Sequence, residues 1–224
     1  MALTTPARPR RSQEERRTRT RERLLEATVR CLVELGWAGT STTEVSLRAG
    51  VSRGAQQHHF RTKTELVAAA IEHLLQRQRA EYERAFAALP PDQQGVDAAV
   101  DLLWEIYCGP TFTALLELAV ASRTDETLRE LCADLNQRVV EITVQTFGRL
   151  FPGAESLEIT PVALRTTLAL MTGLALQNGC GNDRRGQQAT GGGSEGQGGG
   201  KDEVLALLKA FARQLFGETP GGTT

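Results

Sequence analysis

Apolar residues recur along this chain with the period of helices. Leu24, Thr28, Cys31, Leu32 and Leu35 fall at i, i+4, i+7, i+8 and i+11, which draws one face of a helix. The opposite face is rich in Arg and Glu, and Gly36 stands where a helix-ending glycine belongs. Thr40-Ser41-Thr42-Thr43-Glu44 then opens a short helix through Val45, Leu47 and Ala49 to Gly50. A second short helix is predicted from Ser52 to His59. Thr62-Lys63-Thr64-Glu65 starts a long one carrying Leu66, Ala70, Ile71, Leu74, Leu75, Tyr82 and Phe86, and Pro90-Pro91 end it.

Three more helices follow, over Val96–Cys108, Thr111–Ser122 and Asp125–Leu150. The last shows Leu128, Leu131, Leu135, Val139 and Ile142 on one side. Phe151-Pro152-Gly153 is a break. Thr160-Pro161 caps a helix running to about Asn178, with proline at its first position. A final helix begins near Asp202 and carries Val204, Leu207, Leu208, Phe211 and Leu215. No convincing strand alternation occurs, so the fold class expected is all-α, with about nine helices.

Residues 179–200 hold 10 of the 22 glycines and read as a flexible connector. A phosphate loop is excluded there, because GGGSEGQGGGK follows no strand and its Lys201 precedes Asp202 rather than Ser or Thr. Residues 1–12 mix prolines and arginines without an apolar pattern and read as a flexible basic tail.

Composition changes this picture only once it is divided. The 224 residues are 40% hydrophobic, enough for a real core, and the net charge of −1 speaks against a nucleic-acid partner. Residues 1–63, however, carry 13 Lys and Arg against 6 Asp and Glu, or +7, leaving −8 on the remainder. The first part is therefore a candidate anion binder. No apolar run approaches the length of a membrane span and no signal peptide is evident, so a cytoplasmic protein without a membrane partner is expected. Cys31, Cys108, Cys132 and Cys180 contain no CxxC pair and fit thiols better than a zinc site or a disulfide frame.

The two short helices joined at Gly50 have the pattern of a helix-turn-helix. Gly50 suits a left-handed turn, and Val45, Leu47, Ala49 and Val51 can pack the pair on the first helix. The second helix would then present Arg53, Gln56, Gln57, His58 and His59 to a major groove. Arginine pairs bidentately with guanine and glutamine with adenine. Ser41, Thr42 and Thr43 could meet phosphate, as could Lys63. Adjacent His58 and His59 point about 100° apart on a helix and share a metal site poorly. The arginines from Arg16 to Arg23 are either a solvated helix face or further phosphate contacts.

The run from Arg21 to Leu75 resembles the N-terminal domain of TetR-family transcription regulators. The resemblance rests on ELGW at 34–37, TSTTEV at 40–45, AGVS at 49–52 and HHF-x-TK at 58–63. It implies a helix-turn-helix domain over 13–66, with the motif at about 43–62. It also implies a ligand-binding and dimerisation domain over 67–224. Further implied are a homodimer, a double-stranded pseudo-palindromic operator, a small-molecule effector, a repressor's role and no enzyme activity. Carried over by position, Arg53, Ala55, Gln57, His58 and His59 match residues that commonly face DNA, and Lys63 matches a phosphate-contacting lysine. Two positions depart from the family pattern. Gln56 replaces a usually apolar residue, so it either points toward DNA or weakens the domain, and Gln57 replaces a common tyrosine.

In the C-terminal part, Trp104, Tyr107, Cys108, Phe112, Phe147, Met171 and Asn178 are candidates for a mostly apolar ligand pocket, with ordinary core as the alternative. A hydrophobic or aromatic effector is expected, with thiol sensing through Cys108 as a variant. Leu164, Leu168, Met171 and Leu174, with Leu207, Phe211 and Leu215, are candidates for a four-helix dimer core. Two rival functions are a DNA-binding factor without an effector and a helical enzyme. No paired carboxylates, Ser-His-Asp set or cofactor loop supports the latter, and no cofactor or metal is expected.

Overall fold

The computed structural model describes residues 13–152, 154, 158–180 and 199–216. The expected basic tail at 1–12 and most of the glycine-rich connector, 181–198, lie outside the described residues. Nine α-helices and one 3-10 turn make up the described structure: α1 (Gln13–Gly39), α2 (Thr42–Ala49), α3 (Arg53–His59), α4 (Lys63–Ala87), the 3-10 turn (Pro91–Gln93), α5 (Val96–Tyr107), α6 (Pro110–Ala121), α7 (Glu126–Leu150), α8 (Thr160–Gln177) and α9 (Gly199–Phe216). The chain divides into two compact units, Met1–Ala70 and Ile71–Thr224. The division falls inside α4, about one turn past the expected boundary at residue 66.

In the first unit, Leu24, Leu25, Ala27 and Cys31 of α1 pack with Val45 and Ala49 of α2 and with Phe60, Leu66 and Ala70. Gly36 (φ 68°) breaks α1, and Thr40 closes the break, its hydroxyl donating to the Gly36 carbonyl at 2.7 Å. Ser41 caps α2 by accepting from the Glu44 N–H at 3.1 Å. Gly50 ends α2 in the left-handed region (φ 59°), and the Arg23 guanidinium donates to its carbonyl at 3.2 Å. Leu47 departs from expectation. It is 74% exposed, because Val45 and Ala49 already fill the inward stripe of a two-turn helix and residue 47 lies between them on the outer side.

In the second unit, Val100, Tyr107, Phe112, Leu168, Met171, Leu174, Leu205 and Leu208 form one cluster. Phe86, Val96, Ala99, Phe151 and Ala154 form another. The Tyr107 hydroxyl donates to the Leu168 carbonyl at 3.1 Å and ties α5 to α8. Leu164, Leu168, Met171 and Leu174 are therefore buried within this chain, not offered to a partner. The apolar residues left exposed on α8 and α9 are Val162, Leu170 and Leu176, with Leu207 and Phe211.

Candidate functional site

The surface of α3 is set by its caps. The Ser52 hydroxyl accepts from the Ala55 N–H at 3.2 Å, and the chain leaves the helix at Phe60, whose ring is buried. Arg53, Gln57 and His58 are exposed, and Ala55 and His59 are half-buried at the margin. Arg53 donates to the Thr43 hydroxyl at 2.9 Å, so the first residue of α3 is braced against the first turn of α2. Thr43 is exposed and Thr42 half-buried. Six of the nine predicted contact residues, Thr43, Arg53, Ala55, Gln57, His58 and His59, thus share one polar surface with Thr42 beside them.

Gln56 and Lys63 are placed differently. Gln56 is only 6% exposed, and its side-chain amide donates to the Phe60 carbonyl at 2.9 Å. It neither points outward nor stands as an unsatisfied polar group in the small core. Burial of an amide is tolerated because the hydrogen bond offsets the desolvation cost. The Lys63 ammonium donates to the Trp37 carbonyl at 2.5 Å and sits 3.5 Å from the centre of the Trp37 ring. It pins the segment after the Gly36 break to the start of α4. Partial burial, and then the nearby charges of Arg17, His58 and Arg21, hold the His59 pKa below the ordinary imidazole value.

The second unit encloses a cavity of about 580 Å³. Leu103, Leu116, Val139 and Leu168 contribute to its apolar wall, with Tyr107, Phe112 and Phe147 adding aromatic surface. Thr111, Asn136, Thr143, Thr146 and Thr167 supply polar atoms. The Thr111 hydroxyl is already occupied, donating to the Gln78 side chain at 2.9 Å. The Thr146 hydroxyl is buried and has no hydrogen-bond partner. Burial also raises the pKa of Tyr107.

The pattern of bacterial regulatory proteins of the tetR family matches residues 24–70. An HTH-type transcriptional regulator of Mycobacterium tuberculosis, Rv2912c, is 37% identical over 172 residues, covering 75% of this chain and 87% of that protein. The chain belongs to the TetR family. A TetR-family protein of this kind is a DNA-binding transcription regulator, not an enzyme. Solved structures share the fold. A transcriptional regulator from Rhodococcus sp. Rha1 superposes with a TM-score of 0.61 at 23% identity, over 89% of this chain and 99% of that one. The multidrug-binding protein EbrR, solved with ethidium, gives 0.54 at 22% identity, over 84% and 98%.

In this TetR-family chain, Tyr107, Phe112 and Phe147 line the cavity, whereas Trp104, Cys108, Met171 and Asn178 do not. Met171 is fully buried in the α8 core, and Trp104 packs on the same cluster from outside it. Asn178 lies at the end of α8, donating back to the Leu174 carbonyl at 2.8 Å. Cys108 is exposed at the end of α5. Sequence reasoning missed Thr146 and Thr143. Both sit on the inner stripe of α7 near Val139 and Ile142, and a threonine on an otherwise apolar stripe is the signal that could have found them. Among the described residues, no helix is long and apolar enough to cross a membrane, and no cluster of three or more His, Cys, Asp or Glu could hold a metal.

Proposed function

We propose that this regulator is a repressor that binds a pseudo-palindromic operator as a homodimer and is released by a small apolar or aromatic ligand. The observation that carries the ligand is the cavity of the second unit. Its volume of about 580 Å³ falls in the range of small-molecule sites, and its wall is mostly apolar. Its buried, unpartnered Thr146 hydroxyl calls for a ligand with one hydrogen-bonding group on an apolar body. The complex of EbrR with ethidium supports an aromatic occupant by analogy.

On DNA, Arg53 and Gln57 read base edges. Thr42, Thr43, His58, His59 and Lys63 serve phosphates, and Ala55 allows close approach. The homodimer reading rests on the exposed Val162, Leu170 and Leu176 of α8 with Leu207 and Phe211 of α9. Two recognition helices about 34 Å apart then meet successive major grooves. A ligand releases the operator only to the extent that it binds better to an arrangement of the dimer that misfits the DNA.

The test begins with selection of bound DNA from a random pool. Titration of the selected duplex then follows, with and without a panel of aromatic ligands. Repressor action requires at least one ligand that occupies the cavity to weaken operator binding tenfold or more. Thr146→Val should weaken that ligand several-fold while leaving ligand-free DNA binding intact. Ligands that fill the cavity and leave operator affinity unchanged would overturn the effector reading and leave a DNA-binding factor without one.

A further inference from the structure

Cys108 and Cys180 are 72 residues apart in sequence, yet their sulfurs stand 2.7 Å apart. Each is held by the way its helix ends. Cys108 closes α5, its N–H donating to the Trp104 carbonyl at 3.1 Å. Gly179 turns the end of α8 through the left-handed region (φ 64°), and the Cys180 N–H returns to the Ala175 carbonyl at 3.0 Å. This reversal is the usual glycine-terminated helix end. Tyr107, next to Cys108, is bonded to α8 through the Leu168 carbonyl. Main-chain and tyrosine hydrogen bonds thus fix both cysteine backbones independently of the sulfurs, and little chain entropy remains to be lost on joining them. Cys31 is buried in the other unit, and no contact joins Cys132 to this pair.

We propose that Cys108 and Cys180 form a reversible disulfide, a redox-responsive modification site that joins the end of α5 to the end of α8. Cys108 is the exposed member and Cys180 the half-buried one, which assigns them as attacking and resolving thiols. With a hydroperoxide as oxidant, the Cys108 thiolate attacks the terminal peroxide oxygen. The O–O bond breaks, the other oxygen leaves and takes a proton, and Cys108 becomes a sulfenic acid. The Cys180 sulfur then attacks the Cys108 sulfur. The S–S bond forms, the S–O bond breaks and water leaves. The two thiols give up two electrons in all, and the peroxide is reduced. A dithiol returns both cysteines to the reduced state by exchange.

Partial burial, followed by the neighbouring Cys180 thiol, pushes the Cys108 pKa up to about 12, while Lys201 opposes the rise. Little thiolate is therefore present near neutrality. The pair responds to sustained oxidising conditions, not to a brief pulse of peroxide. Closure bears on the ligand cavity because Tyr107, on the residue adjoining Cys108, lines it.

The test uses the full chain, reduced and then incubated with excess hydrogen peroxide. Remaining thiols are alkylated before intact-mass measurement and peptide mapping. The expected product is a monomeric chain with two thiols blocked, a Cys108–Cys180 linked peptide, and Cys31 and Cys132 alkylated. Dithiothreitol should restore four alkylatable thiols. Cys108→Ser and Cys180→Ser should each abolish the linked peptide, and oxidation should raise the unfolding midpoint of the wild-type chain by several degrees. Four free thiols after prolonged oxidation would overturn the proposal. So would a linkage through Cys31 or Cys132, or one found only between chains. Because the mass readout is made on the wild-type chain, poor folding of a variant would not shield the idea.

Discussion

Gln56 is where the structure changes the meaning of a residue, and its substitution separates the two meanings. Gln56→Ala removes a methylene, an amide and the 2.9 Å hydrogen bond to the Phe60 carbonyl from a site only 6% exposed. The lost hydrogen bond is worth about 1 kcal/mol and the lost apolar burial about 0.8 kcal/mol, with a further contribution from the void. The expected destabilisation is about 2–3 kcal/mol. Gln56→Leu keeps most of the volume and loses chiefly the hydrogen bond, for about 1 kcal/mol. Urea unfolding gives the stabilities, and titration of the selected operator, at temperatures where each variant is folded, gives the DNA affinity. Both variants should bind the operator within about threefold of the parent and keep its sequence preference. A residue that read a base would behave in the opposite way, with stability nearly unchanged and about 1–3 kcal/mol of binding lost with specificity relaxed at one base pair. That second pattern would refute the buried placement.

Arg53→Ala and Gln57→Ala should each cost about 1–3 kcal/mol of operator binding and relax one operator position, as read by competition against single-base variants. If both footprint like the parent, α3 is not the reading surface. Lys63→Ala should lower stability by about 1–2 kcal/mol through its lost contacts with Trp37. If Lys63 also meets a phosphate, the slope of log affinity against log salt should flatten by about 0.9. The His59 pKa is depressed in the folded chain, so the unfolded chain binds its proton first as pH falls. Stability attributable to His59 is present above about pH 6.5 and is lost as pH falls through the lower folded value. His59→Gln should flatten the fall in unfolding midpoint between pH 7.5 and 5.5, and an unchanged pH profile would sink this assignment.

Helix ends were legible because they depend on local chemistry. Ser41, Gly50, Ser52 and Asp125 each cap or close a helix where the sequence placed them. Burial was less legible, because it depends on which neighbour arrives. Leu47 is apolar and exposed, and Gln56 is polar and buried, and only the neighbouring Phe60 carbonyl explains the second. The ligand candidates divided for the same reason. Tyr107 and Phe112 are aromatic residues on the cavity wall, while Trp104 and Met171, equally apolar, pack outside it. Thr146 escaped because a threonine on a helix reads as neutral until the space in front of it is known. On α8, the heptad-like leucines were taken up by the chain's own core, and Val162, Leu170 and Leu176 were left outward.

The packing of Lys63 on Trp37 also makes the protein its own optical probe. The chain has two tryptophans, Trp37 in the first unit and Trp104 in the second. An ammonium 3.5 Å from the indole centre perturbs the excited state of Trp37 in a way that Trp104, set against an apolar cluster, does not share. Replacing either tryptophan with phenylalanine leaves an emission signal belonging to one unit. The DNA-reading half and the cavity-bearing half can then be melted and titrated as separate spectroscopic species within a single intact chain.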